Sequence, residues 1–441
     1  MSLALLTDLY ELTMMCAYLD NGREEQASFE LFTRVLPEKR NYLIYAGLED
    51  VVKYLEEFRF TKDDIDYLYS LKLFPDWFLD FLKEFKFTGN LYSMKEGTHF
   101  FPHEPVLRLE APIYEAQLFE TAILNMTHIS TLVASKAARV YSVSRGKILS
   151  DFSLRRTHGK DAGMKAARST YIAGFSSTSN VLAGKVYGIP VVGTVAHSFI
   201  MSFEKEEEAF RAYLKTFPDR AVLLVDTYDT VKGVEKAIEV AKDLLKEGHT
   251  LKGVRLDSGD ILTLSRLTRE ILDRNGFRST KIIVSGGVDE YKVDELLSKG
   301  APIDIFGVGT KVGTSSDSPF VDFVYKLVEL GEKPVMKTSS GKKMYPGRKQ
   351  VYRCNGFDRV TLFEEKSQGL PLLEPIFISG ERVKNLPSLS EIREHFLEEF
   401  AKLPEEIKDI YEKKVYRVEI SGRLKALYEK TKEEIEEKEW R

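Results

Sequence analysis

The amino-acid sequence predicts an α/β protein: an irregular TIM-like α/β barrel with a mixed α+β N-terminal domain and a helical C-terminal extension. Three observations carry this. Strand-like and helix-like stretches alternate through the middle of the chain at spacings of about 25 to 35 residues, the rhythm of βα units. The strand candidates end in glycine, hydroxyl and charged residues, and in barrels and doubly wound sheets the carboxyl ends of the strands carry the chemistry. The rhythm is missing at both ends of the chain, which sets the expected domains at 1–112, 113–330 and 331–441.

Residues 3–20 read as a helix with Thr7 as cap and Glu11 nearby, ending before Asn21-Gly22. Ala27 to Val35 alternates like a strand, Leu43 to Phe58, Lys62 to Leu71 and Trp77 to Phe85 read as helices, and Leu91 to Leu109 holds strand pieces broken by Gly97 and Pro105. Two helices, 114–126 and 127–144, lead into a strand around Lys147–Phe152. The strand candidates that follow are Ile189–Val195, Ala221–Val225, Gly253–Leu256, Lys281–Val284 and Ile303–Val308. Between them lie the helix candidates Glu204–Thr216, Val231–Glu247, Ile261–Asn275 and Val288–Ser298. Phe320–Leu330 and Lys349–Cys354 read as antiparallel strands joined by the Gly/Lys/Pro-rich connection 331–348, and Leu389 to Arg441 reads mostly as charged helix.

Composition narrows the function classes. The chain has 441 residues, 43% hydrophobic and 11% aromatic, enough for a sizeable core. Its net charge of −4 offers no general attraction to nucleic acid or an anionic membrane, so any phosphate binding must be local. Cys16 and Cys354 stand alone, which argues against a zinc site or disulfide framework and fits a reducing compartment. Asp8 and Glu11 fall where a secretory signal needs a basic start and an uninterrupted apolar core. No run approaches the roughly 18 apolar residues of a membrane span. A soluble, cytoplasmic protein is expected.

The strand ends carry the chemistry. Val191-Val192-Gly193-Thr194 is followed by His197 and Ser198, then by a helix. The turn Asp151-Phe152-Ser153-Leu154-Arg155-Arg156 sets an aromatic beside two guanidinium groups, able to stack a ring and pair with a carboxylate or phosphate. Gly174 to Asn180 is a hydroxyl-rich loop that opens a helix. Asp226-Thr227-Tyr228-Asp229 and Arg255-Leu256-Asp257-Ser258-Gly259-Asp260 supply carboxylates for ribose hydroxyls or Mg²⁺, with one arginine to hold an anion. Ser285-Gly286-Gly287 and Gly307-Val308-Gly309-Thr310, on the last two strands, occupy the usual phosphate position of a barrel. Singly these are ordinary turns and caps. Together they point to a barrel enzyme acting on a phosphorylated sugar, without naming the reaction.

At these residues the sequence resembles the nicotinate phosphoribosyltransferase family, over essentially residues 5 to 365. The resemblance rests on Leu6-Thr7-Asp8-Leu9-Tyr10-Glu11-Leu12-Thr13-Met14, Asp151 to Arg156, Ser179-Asn180-Val181-Leu182-Ala183-Gly184, Gly193 to Ser198, Val254 to Asp260 and Phe306 to Thr310. It implies formation of nicotinate mononucleotide and diphosphate from nicotinate and 5-phosphoribosyl 1-diphosphate, in NAD salvage. It also implies Mg²⁺, and ATP hydrolysis coupled through a phosphorylated histidine. On the resemblance His197 is that histidine, and Asp257 is the second catalytic residue. Phe152 stacks on one face of the pyridine ring, and Tyr10 of a second subunit stacks on the other, in a homodimer with shared sites. Arg255, Thr194, Arg155 and Ser179 meet nicotinate. Asp226, Asp229, Ser285, Gly286, Gly287, Gly307, Gly309 and Thr310 meet the phosphoribosyl diphosphate. Mg²⁺ arrives with the diphosphate, with Asp257 as its candidate protein partner.

The resemblance also bears on substrate choice. The related nicotinamide-using enzymes place a carboxylate where this chain has Ser179, so nicotinate is expected over nicotinamide. Three rivals stay open: a nicotinamide phosphoribosyltransferase, a quinolinate phosphoribosyltransferase, which ATP would not stimulate, and a sugar-phosphate sensor, which would bind without turnover. Some family members carry a cysteine-rich metal knuckle near the C-terminus; two cysteines cannot build one, and the role of residues 366–441 is open.

Overall fold

The computed structural model describes residues 2–339 and 343–440; Ser340 to Lys342, in the Gly/Lys/Pro-rich connection, lie outside the described residues, as do Met1 and Arg441. The chain divides into two compact units, one from the residues through Ser135 together with those from Phe320 onward, the other from Lys136–Pro319.

The first unit is built on an antiparallel seven-stranded sheet in the order Lys333–Pro334, Phe323–Leu330, Gln26–Thr33, Leu107–Pro112, Asn90–Ser93, Glu374–Ile378, Glu381–Arg382. Early and late segments of the chain thus interleave in one sheet. Beneath it Phe58 meets Tyr54, Phe60, Phe85 and Phe119 edge to face, with ring centroids 5.0 to 5.7 Å apart. Residues 366–440, whose role the sequence leaves open, are an integral part of this unit. Phe377, Phe396 and Leu424 are fully buried, and Val418–Ile420 completes a four-stranded sheet with Asp358–Leu362, Lys349–Arg353 and Leu370–Pro371.

Two expectations in this unit are corrected. Leu43 to Phe58 is not one helix: Leu43–Ile44 is a strand paired with His99–Phe100, and the helix is Leu48–Glu57. Gly47 separates them at φ +104, where a Cβ would lie 2.6 Å from the Met126 carbonyl oxygen, so the chain must turn there on a glycine. Residues 3–20 are helical only over Leu9–Asp20, with Asp8 and not Thr7 at the cap position, whereas the end of the chain is mostly helix as expected, in Leu389–Lys402 and Gly422–Trp440 with strand Val418–Ile420 between them.

The second unit carries a parallel six-stranded sheet in the order Ser177–Thr178, Ile148–Asp151, Ile305–Val308, Lys281–Val284, Gly253–Leu256, Val222–Leu224. Helices between strands start on side-chain caps that the sequence supplies at the right place. Asn180 caps Val181–Tyr187, Asp229 caps Thr230–Lys246, Asp260 caps Ile261–Arg274 and Asp289 caps Glu290–Ser298. Helix Thr230–Lys246 buries Val234, Ala237, Ile238, Ala241 and Leu244, a stripe at helical spacing.

One strand here differs from expectation. Ile189–Val195 contributes only a bridge, Val191 to Thr178, while Ser177–Thr178, expected as part of a loop, is the edge strand. Pro190 has no N–H to donate, and Val191 and Val192 are exposed, so neither a full ladder nor an apolar face holds that segment as a strand.

Candidate active site

Register assembles the site. Leu224 pairs with Arg255, Val284 with Leu256 and Val284 with Phe306. Continued in register, parallel pairing therefore sets Asp226, Asp257, Ser285 and Gly307 in one row across four strands at their carboxyl ends. Arg255 shares the face of Asp257, two residues away.

Arg255 is the hub. Its Nε donates to Ser285 Oγ at 2.9 Å, Nη1 to Thr194 Oγ1 at 2.8 Å and the Val195 carbonyl at 3.2 Å, and Nη2 to Asp257 Oδ1 at 2.9 Å. Its guanidinium carbon lies 5.9 Å from the centroid of the Phe152 ring. The Ser285 hydroxyl donates in turn to Asp257 Oδ1 in a short contact. Burial opposes ionisation of Asp257. The Ser285 and Arg255 hydrogen bonds, with the Arg255 and His197 charges, outweigh it and hold this carboxyl below its ordinary range.

Asp226 is buried and organises the next strand end. Its Oδ2 accepts from the Asp257 backbone N–H at 2.8 Å and from Ser258 Oγ at 2.7 Å, while Oδ1 is buried without a partner. The half-buried His197 begins the short helix His197–Met201, and its Nδ1 hydrogen-bonds Thr227 Oγ1 at 3.1 Å. Phe152 is set by its backbone, which donates to the Val308 carbonyl at 2.8 Å, and by the neighbouring strand: a Cβ on Gly307 would lie 2.6 Å from its ring. Only glycine at 307 lets that ring lie on the sheet end. Asp151, just before it, accepts from Ser153 N and Thr178 Oγ1 at 2.9 and 2.7 Å; burial pushes its carboxyl up.

Gly286 sits at φ +81, and a Cβ there would stand 1.9 Å from the Asp257 carbonyl oxygen; beside Gly287, at φ +67, nothing lies within 4 Å. The backbone of this turn is therefore open on one side and pressed against Asp257 on the other.

Of the residues singled out in the sequence, Phe152, Thr194, His197, Asp226, Arg255, Asp257 and Ser285 come together, with Gly286, Gly307 and Gly309 framing them. Ser179 is half-buried, and its N–H donates to the Asp151 carbonyl at 2.8 Å. Arg155 is exposed. Asp229 is exposed and its carboxylate is engaged as the cap of Thr230–Lys246, accepting Lys232 N–H at 2.9 Å. Tyr10 belongs to the first unit, on helix Leu9–Asp20; it is 45% exposed, and burial with Glu120 and Glu11 pushes its phenol up to about 12. Thr227 and Ser258 received no role from sequence. Their signal was a hydroxyl following each strand-end aspartate.

Among the described residues no group of three or more His, Cys, Asp or Glu side chains could hold a metal, and no helix is long and apolar enough to cross a membrane. Both cysteines are free thiols.

Comparison with known proteins places the whole chain. Three stretches correspond to the nicotinate phosphoribosyltransferase N-terminal domain (residues 5–128), the nicotinate phosphoribosyltransferase family (148–355) and the nicotinate phosphoribosyltransferase C-terminal domain (358–428). A nicotinate phosphoribosyltransferase of Mycobacterium tuberculosis is 45% identical over 96% of this chain and 92% of its own length. The chain belongs to the nicotinate phosphoribosyltransferase family. The Bacillus subtilis nicotinate phosphoribosyltransferase is 39% identical over 99% of this chain and 98% of its own. Among solved structures, human nicotinic acid phosphoribosyltransferase matches with a TM-score of 0.86 and 29% identity, over 97% of this chain and all of the other. The nicotinate-nucleotide pyrophosphorylase of Pyrococcus furiosus matches at 0.76 and 30% identity, over 90% and 94%. Family membership makes this chain a phosphoribosyltransferase of NAD biosynthesis, on a mixed α/β fold.

Proposed function

We propose that this family member joins nicotinate to 5-phosphoribosyl 1-diphosphate, releasing nicotinate mononucleotide and diphosphate, in the cytoplasm and with coupled ATP hydrolysis. The single observation that carries the reading is the Arg255 hub: a half-buried guanidinium beside an aromatic ring, anchored by Thr194, Ser285 and Asp257. Such a group recognises a carboxylate on a flat ring, and nicotinate is a pyridine carboxylate. Phe152 then stacks the ring, with Ser179 and Arg155 at its margin. A neutral amide in the same place forfeits the charge-assisted bond, which favours nicotinate over nicotinamide.

As the bond from ribose C1 to the diphosphate breaks, positive charge develops on the sugar. Asp257, held ionised, and Asp226 face that charge, and positioning with electrostatics supplies the catalysis. Asp226 also fits Mg²⁺ or a ribose hydroxyl, because its buried Oδ1 is an acceptor in need of a donor or cation. When bound with the substrate diphosphate, Mg²⁺ would neutralise the leaving group. Gly286, Gly287, Gly307, Gly309 and Thr310 receive the 5-phosphate, with Asp229 at the rim beside the Asp226 turn.

His197 is the proposed phosphoryl acceptor from ATP, its ring oriented by Thr227. In this reading the six-stranded parallel sheet, edged by Ser177–Thr178 and Val222–Leu224, is part of an irregular TIM-like barrel, and the Val191 bridge to Thr178 supports its continuation at one edge. The working unit is a homodimer in which the partner subunit's Tyr10 covers the pyridine ring; the exposed Leu3, Leu6 and Leu9 around Tyr10 support a covered face there.

The test is formation of nicotinate mononucleotide from nicotinate, 5-phosphoribosyl 1-diphosphate and Mg²⁺, with and without ATP, by wild type and His197→Ala. The expected outcome is ATP stimulation in wild type and its loss in the variant, with slow ATP-independent transfer remaining. Stimulation that survives His197→Ala removes the phosphohistidine, and absence of product from wild type removes the transferase reading.

A further inference from the structure

Two cations flank the glycine turns and have no role in the proposed function, although the sequence marks Arg156 as one of two guanidinium groups able to pair with a carboxylate or phosphate. The first is Arg156. It ends the short turn Leu154–Arg156 that follows strand Ile148–Asp151, and its Nη1 donates to Thr310 Oγ1 at 3.3 Å, at the end of the neighbouring strand Ile305–Val308. The second is Lys311, next to Thr310. Its Nζ reaches in the other direction, to Asp289 Oδ2 at 2.5 Å, just beyond Gly286-Gly287 on strand Lys281–Val284. Three adjacent strand ends are therefore linked by two cations that straddle Thr310.

We propose that Arg156 and Lys311 are the side chains that neutralise the 5-phosphate of the phosphoribosyl substrate, with Asp289 setting how much of that charge is available. The proposal deepens the reading above and rests on it for the identity of the ligand as a pentose 5-phosphate.

The argument is one of charge. A phosphate monoester carries about −1.5 to −2 at neutral pH. Backbone N–H groups and the Thr310 hydroxyl offer only partial charges against it. Asp289 makes the turn worse for an anion. It is nearly buried and cannot move away, because its Oδ1 caps helix Glu290–Ser298 by accepting Lys292 N–H at 2.9 Å. Lys311 cancels that carboxylate, and Arg156 leaves the subsite net positive. Lys311 keeps 44% of its side chain exposed against 10% for Asp289, and Arg156 is exposed, so both cations can reach a ligand while the carboxylate stays behind them.

The test measures calorimetric binding of ribose 5-phosphate, and of ribose as its uncharged counterpart, to wild type, Arg156→Ala, Lys311→Ala and the pair Asp289→Asn with Lys311→Ala. Removing one charge-assisted contact is expected to weaken ribose 5-phosphate about tenfold in Arg156→Ala. Lys311→Ala is expected to lose more, because it also uncovers Asp289. The double variant should recover most of that loss, since asparagine still caps the helix without the charge. Weak binding of ribose should be alike in all four proteins, and the Michaelis constant for phosphoribosyl diphosphate should follow the ribose 5-phosphate series while that for nicotinate does not. Affinities for ribose 5-phosphate within twofold of wild type in both single variants overturn the proposal. So does a double variant as weak as Lys311→Ala, which would mean a merely structural ion pair. A wild type that prefers ribose 5-phosphate over ribose yet forms no nicotinate mononucleotide overturns the transferase reading and leaves this subsite standing.

Discussion

Ser285 joins two charged residues through one hydroxyl. It accepts from Arg255 and donates to Asp257, so it fixes the spacing between the group proposed to read a carboxylate and the group proposed to face the sugar. The family resemblance places Ser285 among the phosphoribosyl diphosphate contacts; in the structure its hydroxyl bridges Arg255 and Asp257. Ser285→Ala should leave Asp257 and Arg255 paired but looser, since one hydrogen bond to each charged partner is lost, worth about 1.5–3 kcal/mol. The expected result is a rise of about tenfold in the Michaelis constant for nicotinate with a smaller change for phosphoribosyl diphosphate. Ser285→Thr should restore most of it. Steady-state kinetics with each substrate varied in turn checks this, and equal effects on both substrates would count against a positioning role.

At the scale of an element, helix Leu9–Asp20 carries both Tyr10 and a buried acid. Glu11 is fully buried, and Thr7 and Thr121 hydrogen-bond its carboxylate, the latter through N–H and hydroxyl at 2.8 Å each. Burial is the larger influence and raises its pKa from 4.5 to about 7. The folded chain thus holds the proton more tightly than the unfolded chain does. Below pH 4.5 both states are protonated and the group is neutral in the balance. As pH rises from there to about 7 the unfolded state ionises first, and stability falls by an amount on the order of 3 kcal/mol or less, then stays level. Glu11→Gln keeps the acceptor for Thr121 and removes the charge. It should raise the melting temperature at pH 8 and change it little at pH 4.5, read by thermal melts at the two values. A gain confined to the acid side would refute the sign.

At the scale of the whole first unit, early and late segments are joined by a buried ionic network. Arg353 bonds Asp358 through two nitrogens at 3.1 and 2.8 Å, Glu399 at 3.1 Å and the His99 carbonyl at 2.8 Å. Glu104, also buried, is pushed well above its usual range by burial and by Asp358. Removing the cation leaves the buried Asp358 without a cation beside it, while Glu399 keeps only Lys402 at 2.8 Å. Arg353→Met should therefore destabilise by on the order of 3–5 kcal/mol, seen as a lower urea midpoint. An unchanged midpoint would mean that the network contributes nothing to the stability of the unit.

Much of this molecule is written locally. The apolar runs that became Gly253–Leu256, Lys281–Val284 and Ile305–Val308, and the caps that start the helices between them, depend on neighbours a few residues away. Those signals fixed the βα order, and with it the row of strand ends where the chemistry would lie. Chemical type at those ends, an arginine, carboxylates, one histidine and paired glycines, was enough to reach a phosphorylated sugar, and the motifs then carried the family. What local signals could not give was any decision made across chain distance. Asp229 and Asp226 are three residues apart and alike in sequence, yet one caps a helix and the other is buried against Ser258, because only strand pairing determines which carboxylate meets a neighbour's N–H. The 189–195 run has the apolarity of a strand, but its ladder partner is two residues long. Likewise Thr227, Ser285 and Arg156 acquire meaning only from partners about 30 to 150 residues away, brought close by parallel register. Hydrophobic pattern and capping determine which elements form; the hydrogen bonds that turn their ends into a site depend on which strands lie side by side, and that is settled by the packed fold alone.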